Sequence, residues 1–389
     1  MLRRDLRSRG GTESRPIRGA EFPVKQFRRK KRKEMKTHIL KNMRAAFLAL
    51  AASAALAGVS SCERAIYDYE GDCTVNYLLK FRYDLNLKWA DAFANEVKSV
   101  RLYVFDENGT MVKEIVERGS RLADPEYAVN LELPAGKYHL LAWCGINNEG
   151  TNLQFDVPAA TPGKTVVSDQ TCRLMRKTGA DYAAYSDERH QFMFHGELDV
   201  DLPENEDGGE YVYTMPLTKD TNHIRIILQQ LSGNDVDVDL FNFRIDDANG
   251  YYAADNSLLP DDKIAYLPFD KKTGVAGVGK DDTRAIIDVR GAIADFSVGR
   301  MMADHSKDMM LTITNNLDEV VAQVPVIQYA LLAKEYYEEA YGHEMSEQEF
   351  LDREDEYVLT FFLDESRRWI DTVIMIHSWR IVLHDYELE

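Results

Sequence analysis

SVRLYVFDENGTMVKEIV, from Ser99 to Val116, is the stretch whose reading decides the fold. Val100, Leu102 and Val104 alternate with polar or amphipathic partners, the period of a strand with one face turned inward. Asp106 to Gly109, "DENG", then supplies the residues that reverse a chain between two strands. A hairpin is expected. Working outward, "YAVNLELPAGKYHLLAWCG" (Tyr127 to Gly145) repeats the pattern, with Pro134 to Gly136 turning the chain between two strands. Further strands are expected in "FMFHGELDV", "YVYTMPL", "HIRIILQQL" and "DLFNFRIDDANGYY", the last with a second turn at Asp247 to Gly250. Many short strands bounded by turn residues indicate an all-β sandwich architecture rather than a parallel α/β sheet.

Helix is scarcer. "ADAFANEVK" from Ala90 and "QYALLAKEYYEEAYG" from Gln328, which ends on Gly342, have helical character. "SEQEFLDRED" places Ser346 and Glu349 at capping-box spacing, so another helix is expected to start there. The polar run "PENEDGGE" (Pro203 to Glu210) is the best linker, and splitting there leaves two bodies large enough for separate cores. The expected layout is 1–61 removed, 62–72 a tether, 73–205 an N-terminal sandwich and 206–389 a C-terminal sandwich.

Charge is unevenly spread. The net charge of −18 divides into 16 Lys/Arg against 4 Asp/Glu in residues 1–44 and 31 against 61 after Cys62. So acidic a body is unsuited to nucleic acid, whose phosphates need a basic surface. Between the two parts, Ala45 to Ser61 carries no charge and is rich in Ala, Leu, Ser and Gly. It is too short to span a bilayer comfortably and reads as the apolar region of an export signal, with Lys36, Lys41 and Arg44 in front. It closes on "VSSC" (Val59 to Cys62), which resembles the lipobox of bacterial lipoproteins. That resemblance implies an acylated Cys62 as the mature N-terminus. The basic run "FRRKKRK" (Phe27 to Lys33) lies upstream of this signal, and the start is expected at Met35 or Met43. Cys73, Cys144 and Cys172 remain, an odd number that permits one disulfide without specifying the pair.

Catalytic signatures are weak. "GVAGVGKD" (Gly274 to Asp281) fits a phosphate-loop spacing, but Asp281 stands where Ser or Thr would hold magnesium, so a flexible Gly-rich loop is expected. His190 and His195 are five apart in a strand-like run and would point to opposite faces, so they are assigned structural or surface roles. "HEMSE" at His343 lacks the second histidine of a metalloprotease helix, and acidic clusters such as "DREDE" (Asp352 to Glu356) read as solvated carboxylates. No cofactor, metal or enzymatic activity is implied.

Several blocks in order carry a family resemblance: Cys62 followed by "YDYEGDC", "SVRLYVFDENG", "LPAGKYHLLAWCG", "LTKDTNHIRIILQQLSG" from Leu217, and "LDREDEYVLTFFLD" with "WIDTVIMIHSWRIV" near the C-terminus. Together they resemble the FimB-type fimbrial anchor and subunit lipoproteins of Bacteroidales over most of residues 60–389. The resemblance implies two tandem transthyretin-like β-sandwiches and an outer-membrane, lipid-anchored, surface-exposed protein. It implies partners among fimbrial subunits and a role in anchoring and ending a fimbria by β-strand addition. The candidate donor segment is "SWRIVLHDYELE" (Ser378 to Glu389), with Trp379, Ile381 and Leu383 on one face; the same alternation suits a last strand of the second sandwich. Arg64, Arg82, Arg118 and Arg121 offer sites to a trypsin-like protease, so a polymerising shaft or tip subunit stays open, as does a host surface ligand. A surface glycan-binding lipoprotein is the reading from another class, resting on the tyrosines of "YDYE", "YVY" and "EYYEEAY".

Overall fold

The alternation in Ser99–Val116 becomes a hairpin in the computed structural model, which describes residues 74–146, 154–205, 208–230, 232–279, 286–376 and 379–383. In chain order the strands are β1 (Val75–Arg82), β2 (Ser99–Phe105), β3 (Met111–Arg118), β4 (Val129–Asn130), β5 (Gly136–Cys144), β6 (Phe155–Asp156) and β7 (Cys172–Leu174). They continue as β8 (Tyr185–Ser186), β9 (Phe194–Leu202), β10 (Gly209–Lys219), β11 (Thr221–Gln230), β12 (Phe241–Asp247), β13 (Tyr251–Tyr252) and β14 (Ile264–Tyr266). The remainder are β15 (Asp270–Gly279), β16 (Ile286–Gly299), β17 (Met310–Asn315), β18 (Val320–Pro325), β19 (Glu356–Leu363), β20 (Trp369–Ile376) and β21 (Trp379–Leu383). Short helices are α1 (Phe93–Glu96), α2 (Val326–Leu331), α3 (Lys334–Tyr341) and α4 (Glu347–Arg353). The described chain is thus mostly β with a few short helices, and it lies within one unit, Cys73–Glu389.

The first sheet has the order β3-β2-β5-β9-β10-β1-β4. β2 and β3 pair antiparallel from Ser99↔Arg118 to Phe105↔Met111. In their turn, Asp106 Oδ1 accepts from the amides of Asn108 and Thr110 at 3.0 and 2.9 Å, and Gly109 takes φ 72°, a conformation costly to residues with a Cβ. β10 bends the sheet over: Gly209 to Pro216 pair parallel with β1, whereas Leu217 to Lys219 pair antiparallel with β9. Tyr77, Leu79 and Phe81 of β1 therefore share a core with Val100, Leu102 and Val104 of β2 and Leu140, Ala142 and Cys144 of β5. The other face of β2 and β5, with Tyr103, Phe105, Leu141 and Trp143, is buried in a second core. Cover on both faces explains why these strands read as nearly continuous apolar runs.

That second core belongs to a body of two larger sheets, ordered β15-β16-β11-β19-β20-β21 and β18-β17-β12-β14-β8, with a small sheet β13-β7-β6. β11 runs antiparallel to β16 and parallel to β19. A parallel pair needs a long crossover, and here residues 231–355 carry it, including β12 to β18 and α2 to α4. Ile224, Ile226, Leu228 and Phe296 meet Phe243, Ile245, Leu311 and Ile313 across the layers, and Ile327 and Phe350 of α2 and α4 join them.

Several expectations need adjusting. Of the two strands in Tyr127–Gly145, β5 is as anticipated, but the first shrinks to Val129–Asn130 and pairs with β1 instead. β12 and β13 flank the Asp247–Gly250 turn yet join different sheets, so they form no hairpin. The Gly274 stretch is strand, not loop: Gly274 to Gly279 pair with Gly291 to Ile286. Lys280 and Asp281 lie outside the described residues. The polar run after Leu202 joins two strands of the first sheet, whose last strand continues to Lys219, beyond the 205/206 split. The helix from Gln328 is two, and the second ends at Gly342 in the left-handed conformation. Ser346 caps α4 as its spacing indicates, its Oγ accepting from the Glu349 amide at 3.0 Å.

Candidate assembly edge and polar joint

β21 is the outermost strand of the six-stranded sheet and pairs antiparallel with β20. Trp379, Ile381 and Leu383 stand opposite Ile376, Ile374 and Thr372, which in turn stand opposite Tyr357, Leu359 and Phe361 of β19. Directly opposed positions share a face of the pleat. The register thus puts positions 379, 381 and 383 on the face that β19 turns to the core, where Tyr357, Leu359 and Phe361 are at most 1% exposed. The outer edge of β21 has no strand beside it among the described residues. An edge strand of this kind presents a row of backbone donors and acceptors to another chain. Cys62, Ser378 and residues 384–389 of the candidate segment lie outside the described residues.

The other concentration of functional groups sits where β10 passes into β11. Only Asp220 separates the two strands, so Lys219 and Asp220 are both carried into the interior where the first sheet meets the larger ones. Lys219, 4% exposed, donates to Glu96 of α1 at 3.0 Å and to Asp355 just before β19, and its Nζ lies 3.6 Å from the Phe192 ring centroid. Asp220, fully buried, accepts from Asn256 Nδ2 at 2.8 Å and faces Arg300 Nε at 3.7 Å. Arg300 in turn makes a two-pronged pair with Asp352 at 2.8 and 2.7 Å. Burial pushes the Asp220 carboxyl up to about 7, although Arg300 and the Asn256 hydrogen bond pull it back. Burial likewise pushes Glu354, one residue before Asp355, up to about 8. Such groups could hold a proton near neutrality, but each faces protein rather than an open cleft, so their chemistry is structural.

The remaining predicted residues are dispersed. His190 Nε2 lies 2.8 Å from Ser186 Oγ, and His195 Nε2 lies 2.8 Å from the Ala254 carbonyl. Burial pushes both imidazoles down to about 4, so they are neutral core residues. Among the described residues no group of three or more His, Cys, Asp or Glu is arranged to hold a metal ion. Cys144 and Cys172 are both buried free thiols, in the two different cores on opposite sides of the first sheet, and Cys73 lies outside the described residues. Of the tyrosines weighed for sugar stacking, Tyr337 is 3% exposed, Tyr211 stacks on Tyr77 at 5.9 Å, and Tyr336 faces solvent. No helix among the described residues is long and apolar enough to cross a membrane. Sequence reading passed over these residues because a Lys-Asp pair normally marks a surface.

Comparison with known proteins places this architecture. The chain aligns with the minor fimbrium anchoring subunit Mfa2 of Porphyromonas gingivalis at 25% identity over 212 residues, spanning 54% of this chain and 61% of that relative. A candidate adhesin of Bacteroides thetaiotaomicron has a crystal structure that matches with a TM-score of 0.67 at 30% identity, covering 81% of this chain and all of that one. The structure of the P. gingivalis anchor protein Mfa2 matches with a TM-score of 0.57 at 16% identity over 81% of this chain, a likeness of fold. The sequence profile of the fimbrillin-A associated anchor proteins Mfa1 and Mfa2 matches residues 69–385, and the chain belongs to that family.

Proposed function

We propose that this protein is a lipid-anchored outer-membrane subunit that holds the base of a fimbria and ends its growth through β-strand-mediated assembly with fimbrial subunits. The observation that carries this reading is the family match over residues 69–385, nearly the whole chain beyond the uncharged segment. Acylation at Cys62 supplies the membrane attachment, since several acyl chains hold a protein stably where one binds reversibly. The two β bodies are read as tandem transthyretin-like sandwiches, with β1 retained in the first sheet so that no foreign strand displaces it there. The run Trp379, Ile381 and Leu383 is the segment that meets a neighbouring subunit.

The mass and N-terminus of protein extracted from its native membrane test the reading. An acylated Cys62 with no further trimming supports an end-of-fibre anchor; an unlipidated N-terminus after Arg64, Arg82, Arg118 or Arg121 identifies a polymerising subunit instead. Trp379→Asp or Ile381→Asp is expected to abolish co-purification with fimbrial subunits, with urea unfolding of each variant separating a lost contact from a lost fold. Unchanged co-purification would remove β21 from the assembly contact.

A further inference from the structure

Trp89 has φ 53°, a conformation that a bulky L-residue adopts only when its surroundings impose it. Its surroundings are specific. Arg353 of α4 lies over the indole, with Cζ 3.6 Å from the ring centroid, and the His343 ring meets it edge-on at 4.5 Å and 80°. The indole Nε1 donates to Tyr337 Oη at 3.2 Å, and Tyr337 Oη donates to the Leu87 carbonyl at 3.0 Å. The backbone follows the ring: the Leu87 amide donates to the Arg353 carbonyl at 3.1 Å, and Arg353 Nη1 donates to the Asp84 carbonyl at 3.1 Å. The loop after β1 thus reaches out of the first body and is gripped by α3, α4 and the turn between them.

We propose that Trp89 is a latch whose half-exposed indole, lodged between Arg353, His343 and Tyr337, fixes the loop after β1 onto α3 and α4 against the preference of its own backbone. Left to itself, a Trp in this loop would relax to negative φ and withdraw the Leu87 amide from α4. The ring contacts hold it in place. The apolar core that the first sheet shares with the larger sheets and the Lys219 bridge to Glu96 and Asp355 are separate ties, so releasing the latch frees this loop without moving the sheets. For an anchor loaded at both ends, which rests on the function proposed above, the latch ties the loop after β1 to the helices that precede β19.

The test is hydrogen exchange by mass spectrometry together with small-angle scattering on the full chain, comparing Trp89→Ala, Trp89→Asn and Tyr337→Phe with the parent. Loss of the latch is expected to speed exchange about tenfold in peptides covering 85–93 and 343–353, with the β2, β5, β11 and β16 peptides and the scattering distance distribution unchanged. Asn tolerates the left-handed backbone but has no ring, so Trp89→Asn is expected to behave as Trp89→Ala does. Parent-like protection in Trp89→Asn, or unchanged exchange in both Trp89 variants, overturns the proposal. If Trp89→Ala loses protection throughout, Tyr337→Phe decides: it keeps the packing and removes both phenol hydrogen bonds, so selective loss at 85–93 supports the latch and uniform behaviour overturns it. These readouts do not depend on fimbriae, and a failed anchoring reading would leave them unchanged.

Discussion

Asp220→Asn should alter how stability depends on pH. The carboxyl is fully buried and titrates at about 7 in the folded protein, against 3.8 for an unperturbed Asp. A folded pKa above the unfolded one means that the folded state binds the extra proton, so stability falls as pH rises through that interval. Across the whole interval the loss amounts to ~4 kcal/mol, and between pH 6 and 8 to about 1.4 kcal/mol, from ~1.4 kcal/mol per pKa unit. His190 and His195 act oppositely: pushed down to about 4, they contribute stability that is present above their unfolded value and lost as pH falls below it. Both histidines are common to parent and variant, so the difference between the two isolates Asp220. Asn keeps the shape and can still accept from Asn256, while Arg300 retains Asp352. The assay is urea unfolding at pH 6, 7 and 8. Relative to the parent, Asp220→Asn is expected to gain about 1.4 kcal/mol between pH 6 and 8. A difference constant with pH would refute the claim that a buried, proton-holding carboxyl sits at the joint.

Two further substitutions probe the same architecture. Arg300→Met leaves Asp220 and Asp352 facing each other without their cation, and breaking a buried pair of this kind costs about 3 to 5 kcal/mol; urea unfolding at pH 8 should show it, with part of the loss recovered by adding Asp352→Asn. Gly145→Ala meets two obstacles at once, φ 81° and a Cβ that would lie 1.9 Å from the Phe192 carbonyl oxygen. We expect a loss of at least about 2 kcal/mol in thermal unfolding, and a melting curve superimposable on the parent's would contradict the close approach of these backbones.

Much of the local structure was legible. The β2–β3 hairpin follows from alternation plus Asp106 and Gly109, and the start of α4 follows from Ser346, because turn and cap chemistry act within four residues. The failures share one cause. Val129–Asn130 was read as the partner of β5 and instead pairs with β1, and the polar run after Leu202 was read as a joint although it turns between strands of one sheet. Gly274 to Gly279 was read as a loop, since glycine lowers strand propensity, yet pairing with β16 overrides that preference. Trp89 and the Lys219-Asp220 pair carried no signal for their roles, because their partners are distant in the chain: Tyr337 for Trp89, Glu96 and Asp355 for Lys219, Asn256 and Arg300 for Asp220.

The sequence by itself determined the class of fold, the faces of most strands and the acidic character of the body, since a period of two and a turn are local properties of the chain. Tertiary structure decided which strands meet: β1 beside β10, β11 beside β19, and the bend in β10 that folds one sheet over its own core. It also decided that Lys219, Asp220 and Arg300 would be buried together at the joint. Alternation says which side of a strand faces inward but not what lies across from it, and that choice is made only when distant segments compete for the same edge.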